Sequence, residues 1–236
     1  MSCDVRSAGE SWFELMSLGS DRAASTGWRA RGAAPTTTLL LRHGQTEMSA
    51  ERRFAGRGDI PLTSVGLEQA AAAAARLADR GGIDVVLSSP LRRALNTAEV
   101  VADLAGVPLA VDPDLVETDF GEWEGLTFGE VLARWPDDMA AWQADASAAP
   151  PGGESFGAVA KRVDVALDRL LSERKGQTVV VVSHVTPIKT LICRALLAPP
   201  AAMFRMHLDV AALCEAAWFA DGPALVRSLN DTAHLR

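Results

Sequence analysis

The sequence predicts a three-layer α/β/α sandwich with a mostly parallel central sheet. Short runs of apolar, β-rich residues alternate along the chain with longer amphipathic segments, the order typical of an α/β domain. These runs are continuously apolar, as expected of strands covered on both faces. The 236 residues, of which 48% are hydrophobic and 22% charged, suffice for one such domain with a sizeable core.

The N-terminal part of the chain has a different composition from the rest. Up to about Pro35 it is rich in Ser, Ala, Gly and Arg and has no clear hydrophobic period. We therefore predict that residues 1–35 form a poorly ordered N-terminal tail and that residues 36–236 form the folded domain.

Four strands and a C-terminal hairpin are predicted from apolar runs and turn residues. The strands are expected at 37–41, 84–88, 109–111 and 178–183. Segments 213–219 and 225–229 flank Asp221-Gly222, which is a hairpin turn signal.

Helices are predicted between the strands from their caps and stops. Thr63 caps a helix that Gly81-Gly82 ends, and Thr127-x-x-Glu130 is a capping box. Pro90 is predicted as the first residue of a helix that Gly106 ends, and Pro136 is predicted to stop the capping-box helix. A long helix is expected from Phe156 to Gly176. Thr186-Pro187 is expected to start a further helix that runs through Leu197.

Charge and composition exclude several classes of partner. The net charge is −7 without a basic run, which argues against nucleic acid. No segment approaches eighteen apolar residues, so no membrane span is expected. The three cysteines lack CxxC spacing and no signal peptide is evident, so we expect a cytoplasmic protein with free thiols.

Two histidines and two or three arginines are predicted to meet at one edge of the sheet. The first strand ends in Arg42-His43, His184 follows the strongest strand, and Arg92 and Arg93 lie in the first turn of the helix after the second strand. Ligands of α/β sheets bind beyond the carboxyl ends of the strands. Guanidinium groups match phosphate oxygens, and a helix start adds free N–H groups. The pattern therefore predicts a phosphate site.

Histidine in such a site indicates chemistry beyond binding. A neutral imidazole is a good nucleophile near pH 7, and attack on phosphorus gives a phosphohistidine. The departing alkoxide needs a proton from a carboxylic acid kept neutral by burial or by the bound anion. Glu117, in the loop after the third strand, is the preferred general acid, and Glu124 is the alternative.

Six segments in a fixed order resemble the histidine phosphatase superfamily, which contains the cofactor-dependent phosphoglycerate mutases. They are 41–47, 62–70, 88–98, 117–125, 151–155 and 182–184. The likeness spans roughly residues 38 to 230 and is greatest for the acid phosphatase and α-ribazole phosphatase branch. Segment 183–189 especially resembles the phosphatase half of actinobacterial proteins that join a ribonuclease H domain to an acid phosphatase domain.

The resemblance implies a role for each residue of the predicted site. His43 corresponds to the phosphorylated nucleophile, and Glu117 corresponds to the proton donor. Arg42, Arg93 and His184 correspond to the phosphate pocket. The preference for Arg93 over its neighbour Arg92 rests on this correspondence alone.

Ser49 and Gly56 are the further residues expected to bind phosphate or substrate. The family often has Asn where this chain has Ser49, so the hydrogen bond at that position is expected to differ. Only 66 residues separate Glu117 from His184, whereas the mutases carry a long insertion there. A shorter insertion leaves the pocket more open to water and favours hydrolysis.

The expected function is an acid-phosphatase-like phosphomonoester hydrolase that acts on a small phosphorylated metabolite without metal or cofactor. One alternative is a phosphoglycerate-type mutase, which would need a bisphosphorylated primer. The other is a non-catalytic phospholigand-binding protein on the same fold. A homodimer through the edge beyond the hairpin stays open, because nothing in the sequence requires it.

Overall fold

A computed structural model describes residues 34–236 of the chain. The tail predicted at 1–35 falls almost entirely outside the described residues. Six strands form one sheet: β1 (Thr36–Arg42), β2 (Val85–Ser88), β3 (Leu109–Val111), β4 (Thr178–Ser183), β5 (Leu213–Trp218) and β6 (Ala224–Asp231).

The sheet is mostly parallel, as predicted. Its strand order is β3-β2-β4-β1-β5-β6, and the pairs among β1 to β4 are all parallel. The C-terminal hairpin adds β5 and β6 as antiparallel strands beside β1. The register pairs Arg42 at the end of β1 with Ser183 at the end of β4, so the residues after these two strands are neighbours.

Helices connect the strands and cover the sheet. They are α1 (Glu47–Ala50), α2 (Ser64–Arg80), α3 (Arg92–Ala105), α4 (Phe128–Arg134), α5 (Pro136–Ala144), α6 (Phe156–Glu173) and α7 (Val185–Leu196). Short 3-10 turns lie at Pro113–Leu115, Gly121–Trp123, Pro200–Arg205 and Ala233–Leu235.

The side chains of β1 alternate between two apolar layers, one on each face of the sheet. Leu40 packs with residues of α6 and α7, including Val163 and Ile188. Leu39 and Leu41 pack on the opposite face with the small residues of α2 and α3. Helices therefore cover both faces, which confirms the predicted three-layer sandwich.

Two helices begin at other residues than the sequence indicates. Helix α3 starts at Arg92 rather than at Pro90, because Ser89 Oγ and the Asp59 carboxylate accept the N–H groups of Leu91 and Arg92. Helix α7 starts at Val185 with His184 at the N-cap, so the predicted cap, Thr186, lies within the first turn. In both cases tertiary contacts at the strand end decide the boundary.

Pro136 has two roles where one was predicted. It ends α4, as expected, and it also occupies the first turn of α5, because its missing N–H is not needed there. A third apolar cluster built on this helix pair includes Trp123, Met139 and Trp142. Within residues 34–236, no helix is long and apolar enough to cross a membrane.

Candidate active site

His43 follows β1 at the carboxyl edge of the sheet. Its backbone N–H donates to the carbonyl of Ser183 at 3.1 Å. Its side chain is only 5% exposed, and Nδ1 lies 2.7 Å from the carbonyl of Gly44. A carbonyl only accepts, so Nδ1 carries the proton and Nε2 keeps its lone pair. Burial, followed by the charges of Arg42 and Arg93, holds the pKa of His43 well below its usual value, so the ring is neutral.

The loop after His43 is held by a close contact between two backbones. A Cβ atom on Gly44 would lie 2.3 Å from the carbonyl oxygen of Gly66, and one on Gly66 would lie 2.1 Å from that of Gln45. Only glycine fits at both positions. The start of α2 therefore fixes the backbone that orients His43.

His184 lies beside His43 at the end of β4. The two ring centroids are 5.1 Å apart, and His184 is fully buried. Its Nε2 lies 2.8 Å from Ser89 Oγ, which also accepts the N–H of Leu91 at 3.3 Å. We assign the Ser89 hydroxyl as the donor to Nε2, which places the imidazole proton on Nδ1. Burial is the main cause that keeps the pKa of His184 well below 6.5, with the neighbouring His43 and Arg93 adding to it.

Arg42 and Arg93 supply the positive charge. Arg42 Nη1 donates to the carbonyl of Leu208 at 2.7 Å, and burial lowers the pKa of Arg42 to about 10, still a cation at neutral pH. Arg93 is fully buried, and its terminal nitrogens donate to the carbonyls of Gly58, Ala55 and Gly56 at 2.7–3.1 Å. Arg92, the other arginine considered at this position, is exposed.

Three buried side-chain nitrogens around His43 lack a hydrogen-bond partner. They are Arg42 Nε, Arg93 Nε and His184 Nδ1, among eight such buried atoms in residues 34–236. Burying a donor without a partner costs roughly 1–3 kcal/mol. Three donors left unpaired beside one imidazole are therefore most simply explained by an anion that binds there.

Glu117 is buried at the same edge of the sheet and lines the cavity into which His43 also faces. Its carboxylate accepts the N–H of Thr118 at 2.9 Å and that of Thr186 at 3.2 Å, so the start of α7 holds it. The alternative acid, Glu124, accepts the N–H of Gly56 at 2.8 Å and is not among the residues that line the cavity.

Arg162 holds the backbone that carries Glu117, and the sequence analysis did not identify it. Its terminal nitrogens donate to the carbonyls of Asp114, Val116 and Glu117 at 2.7–3.1 Å. Its other donors pair with the Glu154 carboxylate at 2.9 and 3.0 Å. A fork of donors with all its partners in place clamps the acid-bearing loop onto α6.

A cavity of about 240 Å³ opens in front of these groups. Arg42, His43, Ser49 and Glu117 line it, whereas Arg93 and His184 are fully buried and are not among its lining residues. The remaining lining residues are Thr46, Arg53, Phe54, Ala55, Phe120, Trp142, Phe156, Val185, Thr186, Lys189, Met203 and Phe204.

The two further residues predicted to bind phosphate or substrate have structural contacts of their own. The Ser49 hydroxyl forms a capping box with Thr46 at the start of α1. The Gly56 carbonyl accepts from Arg93, and the Gly56 N–H donates to the Glu124 carboxylate. Gly56 does not line the cavity. A contact of either residue with phosphate stays a prediction.

Residues 34–236 contain no group of three or more His, Cys, Asp or Glu side chains that could hold a metal ion. Asp112 and Asp114, which the sequence places near Glu117, instead pair with Arg169 of α6 at 2.8 and 2.7 Å.

The structure is an α/β sandwich with two neighbouring histidines at the carboxyl edge of its sheet, and comparison with known sequences gives its family. The profile of the histidine phosphatase superfamily (branch 1) matches residues 38–232. The chain belongs to this superfamily.

Several relatives in the superfamily are phosphatases. A bifunctional protein of Mycobacterium tuberculosis is 50% identical over 218 residues, which cover 92% of this chain and 60% of that protein. The chain therefore spans about 60% of the length of that relative. The structure of a mycobacterial glucosyl-3-phosphoglycerate phosphatase in complex with VO3 aligns with a TM-score of 0.76 at 32% identity, covering 84% of this chain and 100% of the other. The α-ribazole phosphatase of Shigella flexneri aligns with a TM-score of 0.74 at 30% identity, covering 83% and 96%.

Proposed function

We propose that this chain is a phosphomonoester hydrolase that acts through a phosphohistidine at His43 on a small phosphorylated metabolite. The observation that carries the proposal is the set of three unpaired buried nitrogens, on Arg42, Arg93 and His184, around an imidazole whose Nε2 lone pair is free. The named activities of the relatives, which act on glucosyl-3-phosphoglycerate and α-ribazole phosphates, agree with this substrate class.

The reaction has two steps. In the first, His43 Nε2 attacks phosphorus, the P–O bond to the leaving group breaks, and Glu117 gives its proton to the departing alkoxide. In the second, Glu117 takes a proton from water, the hydroxide oxygen attacks phosphorus, and the P–N bond breaks to release inorganic phosphate. The arginines and His184 stabilise charge on the equatorial oxygens in both steps.

The electrostatics of the free site suit this mechanism. The pKa of His43 is lowered, so the nucleophile stays unprotonated in mildly acidic solution. The first step needs Glu117 in its protonated form as the proposed general acid. We therefore expect turnover to persist below pH 6.5.

The test is hydrolysis of 4-nitrophenyl phosphate in excess EDTA from pH 4 to 8. The native chain is compared with His43→Ala and with a matched control, His207→Ala, whose ring is exposed and pairs with Asp209 at 2.9 Å. We expect metal-independent turnover that only His43→Ala abolishes, together with an alkali-stable, acid-labile phosphoryl group on the native chain after rapid quenching.

Each other outcome contradicts a definite part of the proposal. Turnover that appears only with a bisphosphorylated primer would indicate a mutase. No turnover by a folded chain that still binds orthovanadate would indicate a phospholigand-binding protein. Activity that survives in His43→Ala would mean that another group attacks phosphorus.

A further inference from the structure

The cavity has an aromatic wall that the two-step mechanism does not use. Phe54, Phe120, Trp142, Phe156 and Phe204 all line it. None of these side chains can donate or accept a proton in the reaction. They surround the space that the group esterified to phosphate must occupy.

The rings of this wall contact one another, which makes the wall continuous. The centroids of Trp142 and Phe156 are 4.5 Å apart, and those of Phe54 and Phe120 are 4.8 Å apart. Phe204 closes the array at 5.7 Å from both Trp142 and Phe156, with 44% of its surface exposed. Edge and tilted packing at these distances stabilises a fixed apolar surface. Such a surface favours a leaving group with a flat apolar body.

Lys189 is the second feature of the cavity that the mechanism leaves unused. It lies on α7, one turn after Val185, and is half-buried. Within residues 34–236 its ammonium group has no ion pair or hydrogen bond. Burial, followed by the nearby charge of Arg42, lowers the pKa of Lys189, while Glu117 acts in the opposite direction. The lysine is therefore close to both the phosphate pocket and the general acid.

The other cations of the cavity already have partners. Arg53 pairs with Glu51 at 2.6 Å and with Glu130 at 3.1 Å, and it also donates to the carbonyl of Gly125. Arg42 belongs to the phosphate pocket. Lys189 is thus the cation in this cavity, within the described part of the chain, that is left for a charge on the substrate. An ammonium group in a largely apolar cavity attracts an anion more strongly than one in water.

We propose that the preferred substrate is a phosphomonoester whose leaving group joins a flat apolar body to a second anionic group, with Lys189 binding that anion and the aromatic wall binding the body. This inference rests on the proposed function, because it concerns the leaving-group side of the same site. It makes Lys189 a specificity-determining residue rather than a catalytic one.

Three synthetic substrates test the inference. They are 4-carboxybenzyl phosphate, 4-carbamoylbenzyl phosphate and 4-phosphonooxybutanoate. The first two differ in charge but little in size, and the first and third differ in the ring but both carry a carboxylate. All three leave as alkoxides of similar basicity, so kcat/KM compares binding of the leaving group rather than its chemistry.

We expect the native chain to prefer the carboxybenzyl over the carbamoylbenzyl substrate by roughly tenfold in kcat/KM. Lys189→Gln should bring this ratio close to one, and Lys189→Glu should invert it. The control is Lys161→Gln, an exposed lysine of α6 with the same change in charge. Phe204→Ala, at the exposed rim of the wall, should reduce the preference for carboxybenzyl phosphate over 4-phosphonooxybutanoate. Circular dichroism establishes that each variant is folded.

The failures of the two proposals are distinguishable. If the native chain hydrolyses 4-nitrophenyl phosphate but shows equal kcat/KM for the three synthetic substrates, this inference is overturned and the proposed function stays intact. A charge preference that persists in Lys189→Gln would overturn the role of Lys189. Absence of turnover with every phosphomonoester would remove both proposals together.

Discussion

His184 can donate to a bound phosphate only if the proton of its neutral ring is on Nδ1. Ser89 is the residue assigned to favour this tautomer, because its hydroxyl lies 2.8 Å from His184 Nε2 and can donate its proton there. The ring is fully buried, and burial keeps its pKa well below 6.5, so it does not become a double donor at neutral pH. In the assigned tautomer, the Ser89 hydroxyl keeps the imidazole proton on Nδ1, the nitrogen proposed to donate to phosphate.

Ser89→Ala should lower kcat/KM for 4-nitrophenyl phosphate by about tenfold, since an unpaired buried group costs roughly 1–3 kcal/mol and 1.4 kcal/mol is a factor of ten. The control is Ser88→Ala, which removes an equally buried hydroxyl whose partner among residues 34–236 is the carbonyl of Ser89. Nitrogen-15 NMR of the imidazole should show a mixture of tautomers in Ser89→Ala. Activity within twofold of the native chain would mean that Ser89 does not set the tautomer.

At the scale of elements, α6 holds the loop of Glu117, the proposed general acid, through a single side chain. Arg162 reaches from this helix to three carbonyls of the segment 114–117, and Glu154 holds it from the other side. Arg169, two turns further along α6, pairs within the described part of the chain with the carboxylates of Asp112 and Asp114. Arg162 therefore holds the backbone at Glu117, whereas Arg169 holds the earlier part of the same loop against α6. Substituting each arginine in turn distinguishes these two effects.

Arg162→Lys should slow hydrolysis of alkyl phosphates by about tenfold and hydrolysis of 4-nitrophenyl phosphate far less. The nitrophenolate leaves without a proton, whereas an alkoxide depends on a correctly placed Glu117. Arg169→Lys is the control, because it changes an arginine of the same helix with the same loss of donors. An equal loss with both leaving groups would show that Arg162 supports the fold and not the acid.

Much of this architecture could be predicted from local signals. Continuous apolar runs gave the strands, caps and glycines gave most helices, and the rule for parallel strands brought His43 and His184 together. The role of Arg93 rather than Arg92 could not be derived in this way, because both lie in the first turn of α3. The difference depends on the carbonyls of the loop 55–58, which only the tertiary fold brings to Arg93.

Contacts between distant segments were also beyond sequence reasoning. Arg162 lies 45 residues after Glu117, and no spacing rule links a helix residue to loop carbonyls at that separation. The aromatic wall joins Phe54 to Phe204 through Trp142, so its members come from separate elements. The sequence located the carboxyl edge of the sheet but could not describe the leaving-group side of the cavity.

At the scale of the whole molecule, the site reduces stability in acid. His43 and His184 are buried and neutral, and burial holds the pKa of both well below 6.5. In the unfolded chain both rings take up protons as the pH falls through about 6.5. The unfolded state then binds more protons than the folded state, so the free energy of unfolding falls with pH until the folded rings are themselves protonated.

Urea unfolding at pH 7.5, 6.5 and 5.5 should therefore show stability that decreases below pH 6.5, by up to about 1.4 kcal/mol per pH unit for each histidine. The double variant His43→Gln/His184→Gln lacks both rings but keeps the carboxylates that also titrate. The slope of its free energy of unfolding against pH should therefore be shallower than that of the native chain between pH 6.5 and 5.5. Equal slopes would mean that the two rings take up protons in the folded state over the same pH range as in the unfolded chain. His43 would then lack, in mildly acidic solution, the free lone pair on Nε2 that the proposed attack on phosphorus requires.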